Sequence, residues 1–145
     1  MLCLCEMMDQ KYPQFNTISP QHLLKDALYQ MCYENAEYLI VLEGEQFIGL
    51  LTEHDVAHKL LFAEKQLSEL KVGEFMSRNL PVADCADSLE YAMQLLDHYN
   101  TRYMAIYDGF TFKGIVSEND LLKQAVKSKR LGIEPAGGQA YPWNY

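Results

Sequence analysis

The sequence predicts an α/β (α+β) fold that is built from two repeats of one small unit. When the chain is shifted by 65 positions, residues 15–61 align with residues 80–126 without a gap, and nine of the 47 aligned pairs are identical. Within each copy, apolar residues recur first at helical spacing and then in short strand-like runs. Because neither copy alone can bury both its helices and its strands, we expect two half-domains that share one core and a pseudo-two-fold axis.

Each copy begins with a short extended segment, at residues 16–18 or 81–83, which leads into a helix. The helix is indicated by apolar residues that recur on one face, and Asn35 and Asn100 stand where it should end. That apolar face consists of Leu23, Leu24, Ala27, Leu28 and Met31 in the first copy and of Leu89, Ala92, Met93 and Leu96 in the second.

A strand, a glycine turn, a second strand and a second helix complete each copy. These segments are 38–42, Gly44, 47–51 and the chain from Glu53 in the first copy, and 103–107, Gly109, 112–116 and the chain from Glu118 in the second. An acidic residue followed by glycine between two apolar runs is typical of a β-hairpin. The predicted order in each copy is therefore β-α-β-β-α.

The repeats divide the 145 residues of a single module. We assign the first repeat to 15–62, a connector to 63–79, the second repeat to 80–126 and an irregular tail to 127–145. Val72, Phe75 and Met76 make the connector apolar enough to dock. The tail contains several glycines and ends in an aromatic segment at 141–145, which we expect to dock onto the body or a partner subunit.

Composition excludes several classes of protein. With 20 acidic and 12 basic side chains, the net charge of −8 argues against a nucleic-acid-binding surface. No apolar run is long enough to span a membrane, and the first residues do not form a secretory signal, so we expect a cytoplasmic protein. The four cysteines are scattered, which fits a reducing compartment, and we interpret Cys32 and Cys85 as packing residues.

The same short motif follows the second strand of each copy, as Thr52-x-x-Asp55 and Ser117-x-x-Asp120. At a helix start, unpaired N–H groups favour an anion, a hydroxyl can donate to a phosphate or ribose oxygen, and a carboxylate can accept from ribose hydroxyls. The same pattern is also a helix capping box. A nucleotide site and a capping role both remain open, and one does not exclude the other.

These motifs carry a resemblance to a known family. Residues 49–55 and 114–120 fit a Gly-h-h-Thr/Ser-x-x-Asp element, where h is apolar. Residues 72–76 look like the short turn that precedes the first strand in that family, and residues 88–92 resemble the start of its first helix. Over residues 15–126 the chain thus resembles a tandem CBS-domain pair, also called a Bateman module.

The resemblance implies an adenosine-type ligand, such as AMP, ADP, ATP or S-adenosylmethionine, in a cleft between the repeats. Thr52 and Asp55 would serve one site, and Ser117 and Asp120 the other. In the family an adenine ring lies between the first and second strands of a repeat, at the positions of Ile18, Tyr38, Ala83 and Tyr103 here. Packing in the core is the alternative role for each of those four residues.

A difference in charge indicates that the two clefts are unequal. Arg102 is placed either to meet a phosphate or to stand as an exposed charge at a strand edge, whereas Glu37 occupies its position in the first copy. We therefore expect at most one cleft to bind a polyphosphate tightly.

These observations predict a regulatory sensor rather than an enzyme, since no catalytic constellation is present and no cofactor is required. The resemblance implies a homodimer, because CBS-like pairs commonly associate through their helices. Since the 145 residues contain no fused effector domain, we expect the client to be a separate protein. The first alternative is a structural dimerisation module with empty clefts. The second is a small metal- or thiol-binding protein that uses His54, His58, Cys3 and Cys5.

Overall fold

The computed structural model describes residues 2–11 and 14–130, and it divides the chain into two compact units. The first-repeat unit is formed by residues 14–80, and the second-repeat unit joins residues 1–13 to residues 81–145. Among the described residues, no helix has both the length and the apolar character that a membrane span needs.

The secondary structure alternates in the same way in both units. In chain order the elements are α1 (Leu4–Lys11), β1 (Thr17–Ile18), α2 (Leu24–Glu34), β2 (Tyr38–Glu43), β3 (Gln46–Thr52), α3 (Glu53–Leu60), a 3₁₀ turn (Leu67–Glu69), α4 (Val72–Phe75), β4 (Val82–Asp84), α5 (Leu89–Tyr99), β5 (Tyr103–Asp108), β6 (Thr111–Ser117) and α6 (Glu118–Arg130). The predicted order β-α-β-β-α is confirmed in both repeats.

Each unit contains one three-stranded sheet. In the first-repeat unit β1 is parallel to β2 and β2 is antiparallel to β3, with Ile18 opposite Val41. In the second-repeat unit β4, β5 and β6 pair in the same way, with Ala83 opposite Ile106. The middle strand is therefore paired on both sides, and its apolar run is buried as the sequence predicted.

The residues that the sequence predicted to end helices and to turn hairpins do so in the structure. Asn35 and Asn100 end α2 and α5 in the left-handed region, with φ of 52° and 50°. Asparagine tolerates this region better than most residues that carry a Cβ. Gly44 and Gly109 turn the two hairpins with φ of +64° and +62°.

The buried apolar residues form one cluster in each unit. The cluster of the first-repeat unit includes Leu24, Leu39 and Leu51, and that of the second-repeat unit includes Met104 and Leu121. A further helix from outside each repeat contributes to burying that repeat's apolar residues within its unit. The expectation that the two half-domains share one core stays a prediction.

In the first-repeat unit that additional helix is α4. Val72, Phe75 and Met76 are buried in its cluster, so the prediction that the connector docks is confirmed. In the second-repeat unit the additional helix is α1, where Leu4 and Met7 are buried. The apolar pattern of the first residues did not predict this N-terminal helix.

The chain after Val126 differs from the prediction. Residues 127–130 continue α6, although the sequence predicted irregular chain from residue 127. The inward face of the helix persists through Gln124 and Ser128, both of which are buried, and this explains the extension. The predicted docking of the aromatic segment lies in residues 131–145, outside the described residues.

The cysteines do not all behave as predicted. Cys5 and Cys85 form a disulfide, which the scattered spacing of the cysteines did not predict. Cys85 does lie in the core cluster, as predicted, whereas Cys32 is an exposed thiol rather than a packing residue. The partners are 80 residues apart in sequence and meet because α1 docks beside the end of β4, a contact that cysteine spacing alone cannot reveal.

Candidate functional site

The junction between β3 and α3 brings Thr52 and Asp55 together. Thr52 is buried at the N-cap of α3, and its Oγ1 accepts a hydrogen bond of 3.0 Å from the Asp55 backbone N–H. A hydroxyl that accepts one bond still has its own hydrogen to donate. The partly exposed Asp55 carboxylate makes no hydrogen bond or ion pair with any described residue, so it remains able to accept.

The junction between β6 and α6 is built in the same way and has one additional hydrogen bond. Ser117 Oγ accepts from the Asp120 N–H at 3.0 Å, and the Ser117 N–H donates to Asp120 Oδ2 at 2.9 Å. These reciprocal bonds form a complete capping box. The capping box is thus confirmed at Ser117 and Asp120, whereas at Thr52 only its N-cap bond is present, and the ligand-binding role stays a prediction at both junctions.

A charged residue lies beside each junction, and the two charges are opposite. The Glu53 N–H donates to the Glu37 carbonyl at 3.2 Å, and the Glu118 N–H donates to the Arg102 carbonyl at 2.8 Å. These bonds place residues 37 and 102 beside the first turns of α3 and α6. Both side chains are exposed, and Arg102 forms no ion pair within the described part of the chain.

The strand positions of the predicted adenine site divide into two groups. Ile18 and Ala83 are buried in the core clusters, which is the packing role that the sequence offered as the alternative. Tyr38 is buried, and its hydroxyl accepts from Gln14 Nε2 at 3.1 Å. Tyr103 is only partly buried, and its carbonyl accepts from Thr101 Oγ1 at 3.4 Å.

Two polar residues that the sequence did not indicate donate hydrogen bonds to Tyr38. In addition to the bond from Gln14, Asn16 Nδ2 donates to the Tyr38 carbonyl at 3.0 Å. The Asn16 carbonyl in turn accepts from the Ile40 N–H at 2.7 Å. The only signal for this arrangement is the parallel pairing of β1 with β2, which brings residues 16 and 38 together from separate parts of the sequence.

Gly49, which opens the Gly-h-h-Thr-x-x-Asp element of the first copy, is approached by another segment of the chain. A Cβ at this position would lie 2.8 Å from Met76 Sδ and 3.0 Å from the Ser77 carbonyl oxygen. Leu50 and Ser77 exchange backbone hydrogen bonds of 2.9 and 2.8 Å at this point. The glycine therefore admits the chain that follows α4.

His54 and His58 lie on the exposed surface of α3. Their rings are nearly parallel, with an interplanar angle of 10° and centroids 6.2 Å apart. Within residues 2–11 and 14–130, no group of three or more potential metal ligands is present. The pair could supply two ligands, but the described residues provide no third one to complete a structural zinc site.

Part of the chain matches a known family, and most of it is similar to a known protein. Residues 72–127 match the family model of the CBS domain. The chain is similar to the CBS domain-containing protein YhcV of Bacillus subtilis, with 28% identity over 129 residues that cover 89% of this chain and 91% of the relative.

Solved structures share the fold. A crystal structure of a CBS domain superposes with a TM-score of 0.80 at 26% identity and covers 87% of this chain and 99% of that one. A hexameric CBS-CP12 protein from bloom-forming cyanobacteria superposes with a TM-score of 0.72 at 25% identity, over 88% of this chain and 74% of its own.

Proposed function

We propose that this chain, which matches the CBS-domain model over residues 72–127 and is similar to CBS-domain proteins along most of its length, acts as a regulatory sensor of an adenosine-type ligand. The ligand class comprises AMP, ADP, ATP and S-adenosylmethionine. One observation carries the proposal: both units present a buried hydroxyl and an aspartate at the start of a helix, in equivalent positions.

The chemistry of the junctions suits a ribose that carries a phosphate or another substituent. The hydroxyls of Thr52 and Ser117 accept the capping N–H and keep a hydrogen to donate. The first-turn N–H groups and the helix dipole favour an anion near the same position. The Asp55 carboxylate can accept from two ribose hydroxyls, as acidic residues do in dinucleotide-binding folds.

The opposite charges at residues 37 and 102 support unequal sites. Arg102 adds a positive charge beside the second junction, whereas Glu37 adds a negative one beside the first. A polyphosphate is therefore favoured at Ser117 and Asp120 and disfavoured at Thr52 and Asp55. A titration that showed two equivalent ATP sites would contradict this assignment.

Signalling requires that the ligand favour one conformation over another. Binding at a helix start shifts the population of conformations, and a separate client protein then binds one of them preferentially. The signal is the differential affinity of the client, so no catalytic group is needed.

The proposal is tested by thermal denaturation of the chain with a panel of adenine nucleotides and S-adenosylmethionine. A ligand at a hundredfold excess over its dissociation constant should stabilise the fold by about 2.7 kcal/mol. We expect Asp55→Ala or Asp120→Ala to abolish the shift for at least one ligand. Asp26→Ala, which removes an exposed first-turn aspartate from α2, is the matched control and should leave the shift unchanged.

The capping hydrogen bonds favour a second candidate, a dimerisation module without a ligand. In that case no nucleotide raises the melting temperature, and the two aspartate variants only alter the baseline stability. Adding Zn²⁺ to the same panel tests the metal-binding alternative, since His54 and His58 would then produce a shift that His54→Ala removes.

A further inference from the structure

The disulfide between Cys5 and Cys85 joins two distant parts of the second-repeat unit. Cys5 lies in the first turn of α1, and Cys85 follows β4, with their Cα atoms 4.6 Å apart. Cys85 is buried in the core cluster, whereas Cys5 is partly exposed. A reagent in solution therefore reaches the Cys5 sulfur more easily than the Cys85 sulfur.

The first-repeat unit contains the same attachment without a disulfide. In that unit the Val72 and Gly73 N–H groups donate to the carbonyls of His22 and Pro20, at 2.9 and 3.0 Å. In the second-repeat unit the N–H groups of Leu4 and Cys5 donate to the carbonyls of Asp87 and Cys85, at 2.9 and 2.7 Å. These pairs correspond one to one, with Gly73 and Pro20 at the positions of the two cysteines.

This internal comparison shows that the attachment does not need a covalent bond. The helix α4 is held by the pairing of Leu50 with Ser77 and by Lys59 Nζ, which donates to the Phe75 carbonyl at 3.0 Å. In the described part of the chain, α1 is held by its two backbone hydrogen bonds, a bridge from Cys3 to Ser88, its buried apolar residues and the disulfide. Among the described residues, the disulfide is a covalent contact that has no counterpart at α4, where Gly73 and Pro20 stand at the positions of Cys5 and Cys85.

Loss of the disulfide should weaken the docking of α1 selectively. An isolated helix of eight residues is unstable in water, so α1 depends on its attachment. The disulfide closes a loop with a sequence separation of 80, which contains the whole first-repeat unit, and a long loop carries a large entropic cost of closure. Leu4, Met7 and Met8 would become exposed whenever α1 detached.

We propose that the Cys5–Cys85 disulfide is a reversible redox switch that controls whether α1 stays docked on the second-repeat unit. The co-reactant is a dithiol reductant. Its thiolate attacks the Cys5 sulfur, the disulfide bond breaks, and Cys85 leaves as a thiolate that takes up a proton. The second thiol of the reductant then attacks the mixed disulfide and releases Cys5, so that two electrons and two protons pass from the reductant to the protein.

The switch is tested by hydrogen–deuterium exchange on the full chain, in the oxidised form and after reduction with dithiothreitol. On reduction, we expect amide exchange in residues 4–9 to rise by about tenfold or more while exchange in residues 72–75 stays unchanged. The segment 72–75 is the matched control, because it makes the equivalent attachment without cysteines. Addition of oxidised glutathione should restore the disulfide, as measured by mass spectrometry after thiol alkylation.

Three results would overturn the proposal. The disulfide could resist dithiothreitol in the native protein, residues 4–9 could exchange equally in both redox states, or both segments could lose protection together. The double variant Cys5→Ser with Cys85→Ser should reproduce the reduced form, and it should not respond to dithiothreitol. If that variant does not fold, the wild-type comparison still decides between these outcomes.

Discussion

Gly49 shows how one missing side chain positions a segment of the chain. The strand β3 passes so close to Met76 and Ser77 that a Cβ at residue 49 would overlap with the Met76 sulfur and crowd the Ser77 carbonyl oxygen. Met76 is part of the core cluster of the first-repeat unit, so its side chain has little room to move. At this residue the requirement is steric and comes from packing rather than from a special backbone angle.

We expect Gly49→Ala to destabilise the protein by about 2 kcal/mol, because the packed Met76 side chain must move and the Ser77 carbonyl must give slightly to admit the methyl group. Gly73→Ala is the matched control, since its Cβ would lie 3.4 Å from Pro20, an ordinary contact, and alanine favours the helix. Urea denaturation measures both variants. Equal stability of the two would show that Gly49 is not needed for this close approach.

The helices α1 and α4 are equivalent elements, but they differ in the polar contacts that their glutamate side chains make. In α4 the Lys71 N–H donates to Glu74 Oε2 at 2.9 Å, and Lys65 Nζ lies 3.5 Å from Glu74 Oε1. The backbone hydrogen bond from Lys71 lowers the pKa of Glu74 below its ordinary value of 4.5, and the charge of Lys65 adds to this effect. Glu6 occupies the corresponding position of α1, and its exposed side chain makes no such bond to the residues that the structure describes.

This pKa predicts how the docking of α4 depends on pH. Because the pKa of Glu74 is lower in the folded protein, its contribution to stability is present above about pH 4.5 and is lost as the pH falls through the folded value. Glu74→Gln should therefore lower stability at neutral pH and differ less from the wild type in acid. Denaturation of the wild type and of the variant at pH values above and below 4.5 measures this difference in stability.

The matched control for that experiment is Glu69→Gln, which changes an exposed glutamate whose side chain makes no hydrogen bond in the described ranges. If Glu69→Gln changed the pH dependence of stability as much as Glu74→Gln does, the effect would not come from the bond to the Lys71 N–H. A Glu74→Gln variant with the same pH dependence as the wild type would show that the bond to the Lys71 N–H contributes nothing to stability.

At the scale of the whole molecule, seven of the twelve exposed large apolar side chains in the described residues lie on or just after an α-helix. These seven are Tyr29 and Tyr33 on α2, Leu61 and Phe62 just after α3, Tyr91 and Tyr99 on α5, and Val126 on α6. Groups of exposed apolar side chains often mark association surfaces, and aromatic residues are enriched there. They support our proposal of a homodimer that associates through helices.

Light scattering at micromolar concentration should therefore give the mass of a dimer, twice 16.7 kDa. Introducing charge with Tyr33→Lys together with Phe62→Lys should shift the protein towards monomer. Phe110→Lys is the control, because Phe110 is fully exposed at a hairpin turn rather than on a helix. A monomeric wild type, or an equal effect of the control, would contradict the proposed surface.

The candidate site could be predicted from sequence only where its contacts are local. Thr52 and Asp55 are three residues apart, and the helix geometry that joins them follows from the motif itself. The bond from Gln14 to Tyr38 and the contact of Gly49 with Met76 join residues 24 and 27 positions apart. No local pattern specifies such pairs, because they depend on how the strands and helices pack.

The sequence alone determined the repeat, the order of elements and the residues that end them. Asn35, Asn100, Gly44 and Gly109 act through backbone preferences that depend only on residue type and near neighbours. Tertiary structure alone decided that α1 belongs with the second repeat and that Cys5 meets Cys85. Residues 4–8 correspond to residues 72–76 at an offset of 68 rather than 65. Aligning the repeats at an offset of 65 therefore does not pair α1 with α4. Their equivalence depends on the burial of apolar surface between segments that are far apart in sequence.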